Sequence, residues 1–290
     1  MYSVKELFQP ESLAEALRLM KGNDLWPVAG ATDVLIKMRH DRLKDVSLLS
    51  LLKIPDLMGI GEEADGAVSI GAACSFSAIA ANELIQRKAP MLKDAALSMG
   101  GPQIQNVATI GGNICNGAVS ADSAPALLAL GAMLVLEESG GRRTVPVTEF
   151  YAGPGKTVRK KEELLTRIIL PLGARGKWGG VYIKVAVRKA MDISTLGVAA
   201  LCEVNRDGTI KDAALALGTA APTPVRCREA EKLLLGKIPD KNLLAETGRA
   251  AKLACNPRSS WRAGREYRLA LIEELSGRAV QQAYDRAVSE

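Results

Sequence analysis

Two short runs carry the residue types that could hold a phosphate: PVAGATDV at 27–34 and ATIGGNIC at 108–115. Each sets glycine where an apolar strand is expected to end, then a small polar residue. Glycine tolerates positive φ and lets backbone N–H groups converge with no Cβ in the way. Converging amides, with the Thr32 and Thr109 hydroxyls beside them, suit phosphate oxygens. A dinucleotide pyrophosphate would fit between two such loops. The competing reading is structural, because a glycine after a strand is commonly a turn or a bulge. Neither run is a GxGxxG that opens a helix, so a Rossmann nucleotide site is not supported. From Thr109 to Ala124 there is scarcely a bulky side chain. The backbone there must come near something, either more protein or a ligand.

Other chemistry is sparse. No residue pattern marks a nucleophile or a general base, and the single histidine, His40, follows an amphipathic run and reads as a surface residue. Five cysteines, at 74, 115, 202, 227 and 255, form no CxxC, and an odd count reads as free thiols. Zinc and iron–sulfur sites need several Cys or His ligands together, so no protein-borne metal site is expected.

The elements that must carry the loops are visible in the patterning. ESLAEALRLMKG (11–22) reads as a short helix closed by Gly22, LWPVA (25–29) as a buried strand, VLIKMRHDRL as helical and VSLLSL (46–51) as a strand. Residues 67–74 read as a strand, 75–85 and 90–100 as helices, and AMLVLEES, GGRRTVPV and LLTRIILP as strands. PLGARGKWGG (171–180) is the best linker candidate. Beyond it lie three strand-like runs, with Asp207-Gly208 as a hairpin turn, and then helices, the last from about Arg262 to Ala287. The reading is α+β. It has a first domain over 1–174, in subdomains of about 1–56 and 57–174, and a second over 175–290 with a three-stranded sheet plus helices.

A chain of 290 residues with 48% apolar and 24% charged residues can bury two cores. The net charge of +6 is scattered, its densest run KTVRKKEE (156–163) reads as a solvated loop, and aromatics are only 4%. Nucleic-acid binding would need a clustered basic face with aromatic platforms, so it is set aside. No apolar stretch is long enough for a membrane span, and the N-terminus has no apolar core of a signal peptide. A cytoplasmic chain is expected.

Together with their surroundings the two loops are recognisable. AGATD and TIGGN, the longer string GPQIQNVATIGGNICNGAVSADSAPAL (101–127), RKAMDIST (188–195), APTPVRC (221–227) and PRSSWRA with EYR (257–268) resemble the FAD-binding subunits of molybdenum hydroxylases, above all those of bacterial xanthine dehydrogenases. The resemblance covers nearly the whole chain. It implies a vanillyl-alcohol-oxidase-like (PCMH-type) FAD-binding domain of two subdomains, followed by a CO-dehydrogenase-flavoprotein-like C-terminal domain. It implies that Pro27, Val28, Ala29, Gly30, Ala31, Thr32, Asp33 and Val34 wrap the pyrophosphate and ribitol. Thr109, Ile110, Gly111, Gly112 and Asn113 would cradle the pyrophosphate from the other side. Asp122 would bond the adenosine part, or cap the helix starting near Ser123. Leu165 would lie by the adenine, and Met99 near the flavin. Lys184 and Asp192 would stand near the isoalloxazine, the lysine favouring negative charge on the reduced ring.

The implied function is electron transfer through FAD. The implied partners are a large subunit carrying the molybdenum cofactor, a small subunit with 2Fe–2S clusters, and NAD or another acceptor. A relative acting on another N-heterocycle, such as nicotinate, is the near alternative. A scaffold of the same fold without flavin is the other; Ala31 points to it, standing where the family usually has a second glycine.

Overall fold

The computed structural model describes residues 3–173 and 175–289. The first layer is a parallel sheet with two helices: β1 (Val4–Phe8), α1 (Leu13–Met20), β2 (Leu25–Val28), α2 (Val34–Arg39) and β3 (Val46–Ser50), in strand order β1–β3–β2. Ser12 caps α1 by accepting from the Glu15 amide at 3.2 Å. Ala16, Leu17 and Met20 of that helix pack with Leu25 and Leu49 into a small core. β1 is unexpected from the sequence, because four of its five residues are exposed and no apolar alternation marks it.

The second layer begins with β4 (Ile60–Glu62) and β5 (Val68–Gly71). A run of short helices follows: α3 (Phe76–Ala81), α4 (Glu83–Lys88), α5 (Pro90–Ser98), α6 (Pro102–Gln105), α7 (Ile110–Cys115) and α8 (Ser123–Ala129). The helix expected over 75–85 is two helices, because Asn82 breaks it and caps α4 by accepting from the Ile85 amide at 3.1 Å. The layer closes with β6 (Met133–Glu138), β7 (Gly141–Pro146), β8 (Tyr151–Gly153), β9 (Lys156–Thr157) and β10 (Leu164–Leu170). β4, β5, β10, β6 and β7 form, in that order, an antiparallel sheet.

The third layer is β11 (Trp178–Val185), β12 (Leu196–Val204), β13 (Ile210–Gly218) and β14 (Val225–Arg226), an antiparallel sheet in chain order, with α9 (Arg228–Leu234), α10 (Lys241–Leu253) and α11 (Arg265–Ser289). The sheet has four strands where three are expected. β14 is two residues long and pairs only with Ala216 and Leu217, too short to leave a pattern in sequence. Every residue of β12 is buried. Ala199 and Leu201 enter the core shared with α5 and α8, while Val198, Ala200 and Cys202 enter the one shared with α9 to α11. A strand covered on both faces reads as a continuous apolar run.

The glycine-rich run at 171–180 is not a free linker. Trp178, Gly179 and Gly180 already belong to β11. A Cβ on Gly179 would lie 2.3 Å from the Ala283 carbonyl oxygen of α11, and one on Gly180 would lie 2.3 Å from the Met91 methyl of α5. These glycines let helices close on both faces of the strand. Arg175 is ion-paired to Asp212 at 3.4 Å. The domain boundary expected between 174 and 175 falls at Ala174, outside the described residues.

Candidate functional site

A cleft of about 450 Å³ opens between the first layer and the helices of the second, within the usual size range of ligand sites. Residues 27–34 form one wall, and Thr109, Gly111, Gly112 and Asn113 form the other. Met99 and Leu165 also line it. The structure thus brings together both glycine runs and two distant residues of the expected set.

The two walls are built differently. The first loop leaves β2 and turns into α2. Among the described residues, none of the amides of Gly30, Ala31, Thr32 and Asp33 donates to a protein acceptor, and the Thr32 and Asp33 side chains have no protein partner. Ala31 sits at φ 56°, in the left-handed region. A Cβ on Gly30 would overlap the Val107 carbonyl oxygen at 1.7 Å. That glycine lets the base of the first loop rest on the chain entering the second.

The second run is not a loop after a strand, as the sequence suggests. Residues 108–109 make only an isolated bridge, Thr109 with Ser75, and both glycines lie in the first turn of α7. Thr109 caps this helix, its Oγ1 accepting from the Gly112 amide at 3.2 Å. The Ile110 amide donates to Cys74 O at 3.0 Å, that of Gly111 to Ala72 O at 2.9 Å, and that of Asn113 to Thr109 O at 3.0 Å. The first-turn donors that usually bind anions at a helix start are therefore taken by protein. Gly111 is wedged against the turn that follows β5, where a Cβ would lie 2.6 Å from Ala72 O. Gly112 faces the cleft, and a Cβ there would meet only its own cap oxygen, at 3.0 Å.

Four expected residues do not line the cleft. Ile110 points into the core beneath α7. Asp122 stands at the start of α8 without a capping bond and instead ties the layers together. It accepts from Tyr182 Oη at 2.9 Å and from Lys184 Nζ at 2.9 Å, and the Ser194 hydroxyl donates to it as well. Desolvation, and then the Asp122 charge, push the Tyr182 hydroxyl well above its ordinary value. Lys184 also donates to Ser98 O at 2.8 Å and to Asp192 O at 3.0 Å, so its three N–H donors are all used. Asp122 and Lys184 thus form one ion pair, at 2.9 Å, between the second and third layers. The Asp192 carboxylate accepts from the Arg188 and Ile193 amides, each at 2.9 Å, and the Arg188 amide holds its pKa below the ordinary value. Lys184 and Asp192 line a separate hollow of about 320 Å³, whereas Ile193, one residue on, lines the main cleft.

Cleft residues outside the expected set include Trp26, Lys37, Ile104, Asn116, Arg159 and Ile193. Lys37 Nζ lies 5.6 Å from the centre of the Trp26 ring and donates to Asn116 Oδ1 at 2.8 Å, bridging α2 to the end of α7. Its signal was legible, because four residues after Asp33 it must share that residue's helix face. Arg159 was masked by the charges around it. Its Nη1 donates to Glu163 O at 2.6 Å and Lys160 O at 3.0 Å. Glu163 is in turn clasped by Arg143 at 2.6 and 2.9 Å, which holds its carboxyl below the ordinary range. Burial pushes the Cys115 thiol up to about 11, with the Arg159 charge opposing, so at neutral pH the cleft holds a thiol and not a nucleophilic thiolate.

Comparisons with known proteins agree with this architecture. Residues 2–173 match the family described as FAD binding domain in molybdopterin dehydrogenase. Residues 181–283 match the CO dehydrogenase flavoprotein C-terminal domain. The chain is 38% identical to a putative xanthine dehydrogenase FAD-binding subunit of Escherichia coli, over 98% of this chain and 97% of that one. It is 32% identical to the carbon monoxide dehydrogenase medium chain of Hydrogenophaga pseudoflava, over 97% of each. The solved carbon monoxide dehydrogenase from that organism superposes with a TM-score of 0.93 at 31% identity, covering 99% of both chains.

Proposed function

Because the chain belongs to the FAD-binding family of molybdopterin dehydrogenases, we propose that it is the electron-transfer flavoprotein subunit of a xanthine dehydrogenase-like molybdenum hydroxylase. Its cofactor is FAD, which supplies a ring able to take up and give out electrons. The residues present fit it. The cleft is two-walled, with apolar Met99, Ile104 and Ile193 among its lining and Lys37 and Arg159 as its cations. The observation that carries the reading is the set of four unpartnered amides from Gly30 to Asp33, facing the glycine wall of α7 across the cleft. Three of these residues, Gly30, Ala31 and Thr32, are half-buried, and an anionic ligand would satisfy their open donors.

In this reading the chain's own work is to bind and orient. Pro27 to Val34 and Thr109, Gly111, Gly112 and Asn113 hold the cofactor between them, with Leu165 and Met99 as apolar contacts. Residues 1–174 form the cofactor-binding part, in subdomains of about 1–56 and 57–174, and 175–290 the second domain. Asp122 and Lys184 fasten one to the other. Electrons would come from substrate at a molybdenum-bearing large subunit, through the 2Fe–2S clusters of a small one, and leave to NAD or another acceptor. The 38% identity to a xanthine dehydrogenase subunit, against 32% to a carbon monoxide dehydrogenase chain, favours a purine-type substrate. Among the described residues no helix is long and apolar enough to cross a membrane, and we place the complex in the cytoplasm.

The test is to purify the full chain and measure flavin per chain before and after acid precipitation. About one FAD per chain, released into the supernatant, is expected. A colourless chain that takes up no added FAD overturns the reading.

A further inference from the structure

Lys37 and Arg159 stand in the cleft with no carboxylate partner among the described residues. α7 runs along the cleft wall for about 9 Å at 1.5 Å per residue. Its first turn adjoins Ile104, whose carbonyl accepts from the Ala108 amide at 2.7 Å. Its far end, Asn116, is where Lys37 is bonded. Arg159 belongs to that far end as well. The Gly155 amide donates to Gly117 O at 2.9 Å, and the Arg159 charge acts on Cys115. The cleft therefore has an apolar end at Ile104 and Met99, whose carbonyl accepts from the Gln105 side chain at 2.9 Å, and a cationic end at Lys37 and Arg159.

Both cations keep donors to spare. The Lys37 ammonium has three N–H donors and gives one to Asn116. The Arg159 bonds to protein all leave from Nη1, to the carbonyls of Lys160, Lys161 and Glu163, so Nε and Nη2 have no protein partner among the described residues. Among the described residues that line the cleft, Asp33 is the one carboxylate, against Lys37 and Arg159. Half-buried cations with open donors and too few acids call for an anion.

We propose that Lys37 and Arg159 recognise the diphosphate-bearing half of the cofactor and set the chain's preference for a dinucleotide over a flavin without phosphate. The proposal rests on the FAD reading and deepens it. The Lys37 bond to Asn116 holds the ammonium over the cleft, and the three carbonyls around Arg159 orient its guanidinium in advance. Such preorganisation lowers the ordering cost of binding.

The experiment uses the full chain freed of flavin, with FAD, ADP and riboflavin as separate titrants. ADP carries the diphosphate without the ring, and riboflavin the ring without phosphate. Lys37→Met and Arg159→Met are each expected to weaken FAD and ADP about tenfold, the worth of one hydrogen bond to a charged group. The salt dependence of ADP binding should flatten, and riboflavin should bind the variants and the unaltered chain alike. Lys37→Arg, which keeps the charge, should recover most of the ADP affinity. Equal ADP affinity in all these proteins overturns the proposal, and so does a chain that takes up FAD but not ADP. Failure of the unaltered chain to bind FAD would instead remove the reading beneath it. Equal losses in Lys37→Arg and Lys37→Met would show that the lysine acts by packing, and would overturn its part.

Discussion

The two glycine walls look alike in sequence and do different work. In the first, the amides of Gly30 to Asp33 are free and one residue is held in a left-handed conformation. In the second, the first-turn amides of α7 are bonded to protein, and one glycine is wedged against the turn that follows β5. The first wall offers donors, and the second offers a surface stripped of side chains. Glycines in a cofactor site therefore fall into two kinds. Gly30 and Gly111 let protein approach protein, while Gly112 leaves the cleft beside it open.

That division can be broken by adding single methyl groups. Gly30→Ala sets a Cβ 1.7 Å from a backbone oxygen, which no side-chain rotation relieves. It should be the most damaging change, costing about 3 kcal/mol or more, the upper range of overpacking. Gly111→Ala, with its nearest backbone atom at 2.6 Å, should cost about 2 kcal/mol by the same mechanism. Denaturant unfolding of the flavin-free chain measures both. If Gly30→Ala unfolds at the same midpoint as the unaltered chain, the two walls do not touch as described.

Gly112→Val should do the reverse. Its Cβ has only the cap hydroxyl to displace, and a helix position gains slightly from losing glycine, so stability should stay within about 1 kcal/mol. The side chain enters the cleft, and FAD occupancy should fall to near zero. A folded variant with full flavin content would make Gly112 a structural glycine like Gly111.

A third test concerns what holds the cationic end. Glu163 carries Arg159 on its carbonyl and is clasped by Arg143, so its folded pKa lies below the ordinary 4.5. A depressed carboxyl contributes stability that is fully present above the unfolded value and is lost as pH falls through the folded one. The melting temperature of Glu163→Gln should therefore lie below that of the unaltered chain at pH 7, with the gap closing as pH falls below about 4.5. Arg143 is 39% exposed, so solvent screens the pair. The gap at neutral pH should be about 1 kcal/mol, or a few degrees. A gap that does not change with pH would mean that the clasp does not depend on charge.

Much of this was legible in sequence, for stated reasons. Continuous apolar runs mark β12 and β13, a long helical pattern marks α11, and the loop residues 27–34 stand out because glycine and small polar residues follow an apolar run. The α+β layering and the family resemblance follow from those signals. β1 and β14 were illegible because one is exposed and the other is two residues long. Placing the second glycine pair after a strand failed because Thr109 turns the chain into a helix there, a decision made by one side-chain cap. The Asp122–Lys184 pair was invisible because it joins residues 62 apart across two layers. Arg159 could not be told from its neighbours in KTVRKKEE, since its orientation comes from three carbonyls rather than from its type.

The smallest expected effect tests the first wall at its one strained residue. Ala31 holds φ 56°, a conformation that costs an L-residue roughly 1 kcal/mol more than glycine. Ala31→Gly removes that cost but loosens the unfolded chain, which offsets part of the gain. The balance should be a stabilisation of about 0.5 kcal/mol, or one to two degrees in melting temperature for a chain of roughly this size. No protein atom in the loop's hydrogen bonding depends on the methyl group, so the amides of Gly30 to Asp33 stay free to meet an anion. FAD affinity should hold or rise slightly. A variant that melts lower and binds FAD more weakly would mean that Ala31 stiffens the loop for its ligand. In that case strain at this residue, and not only the free amides, would separate the two walls.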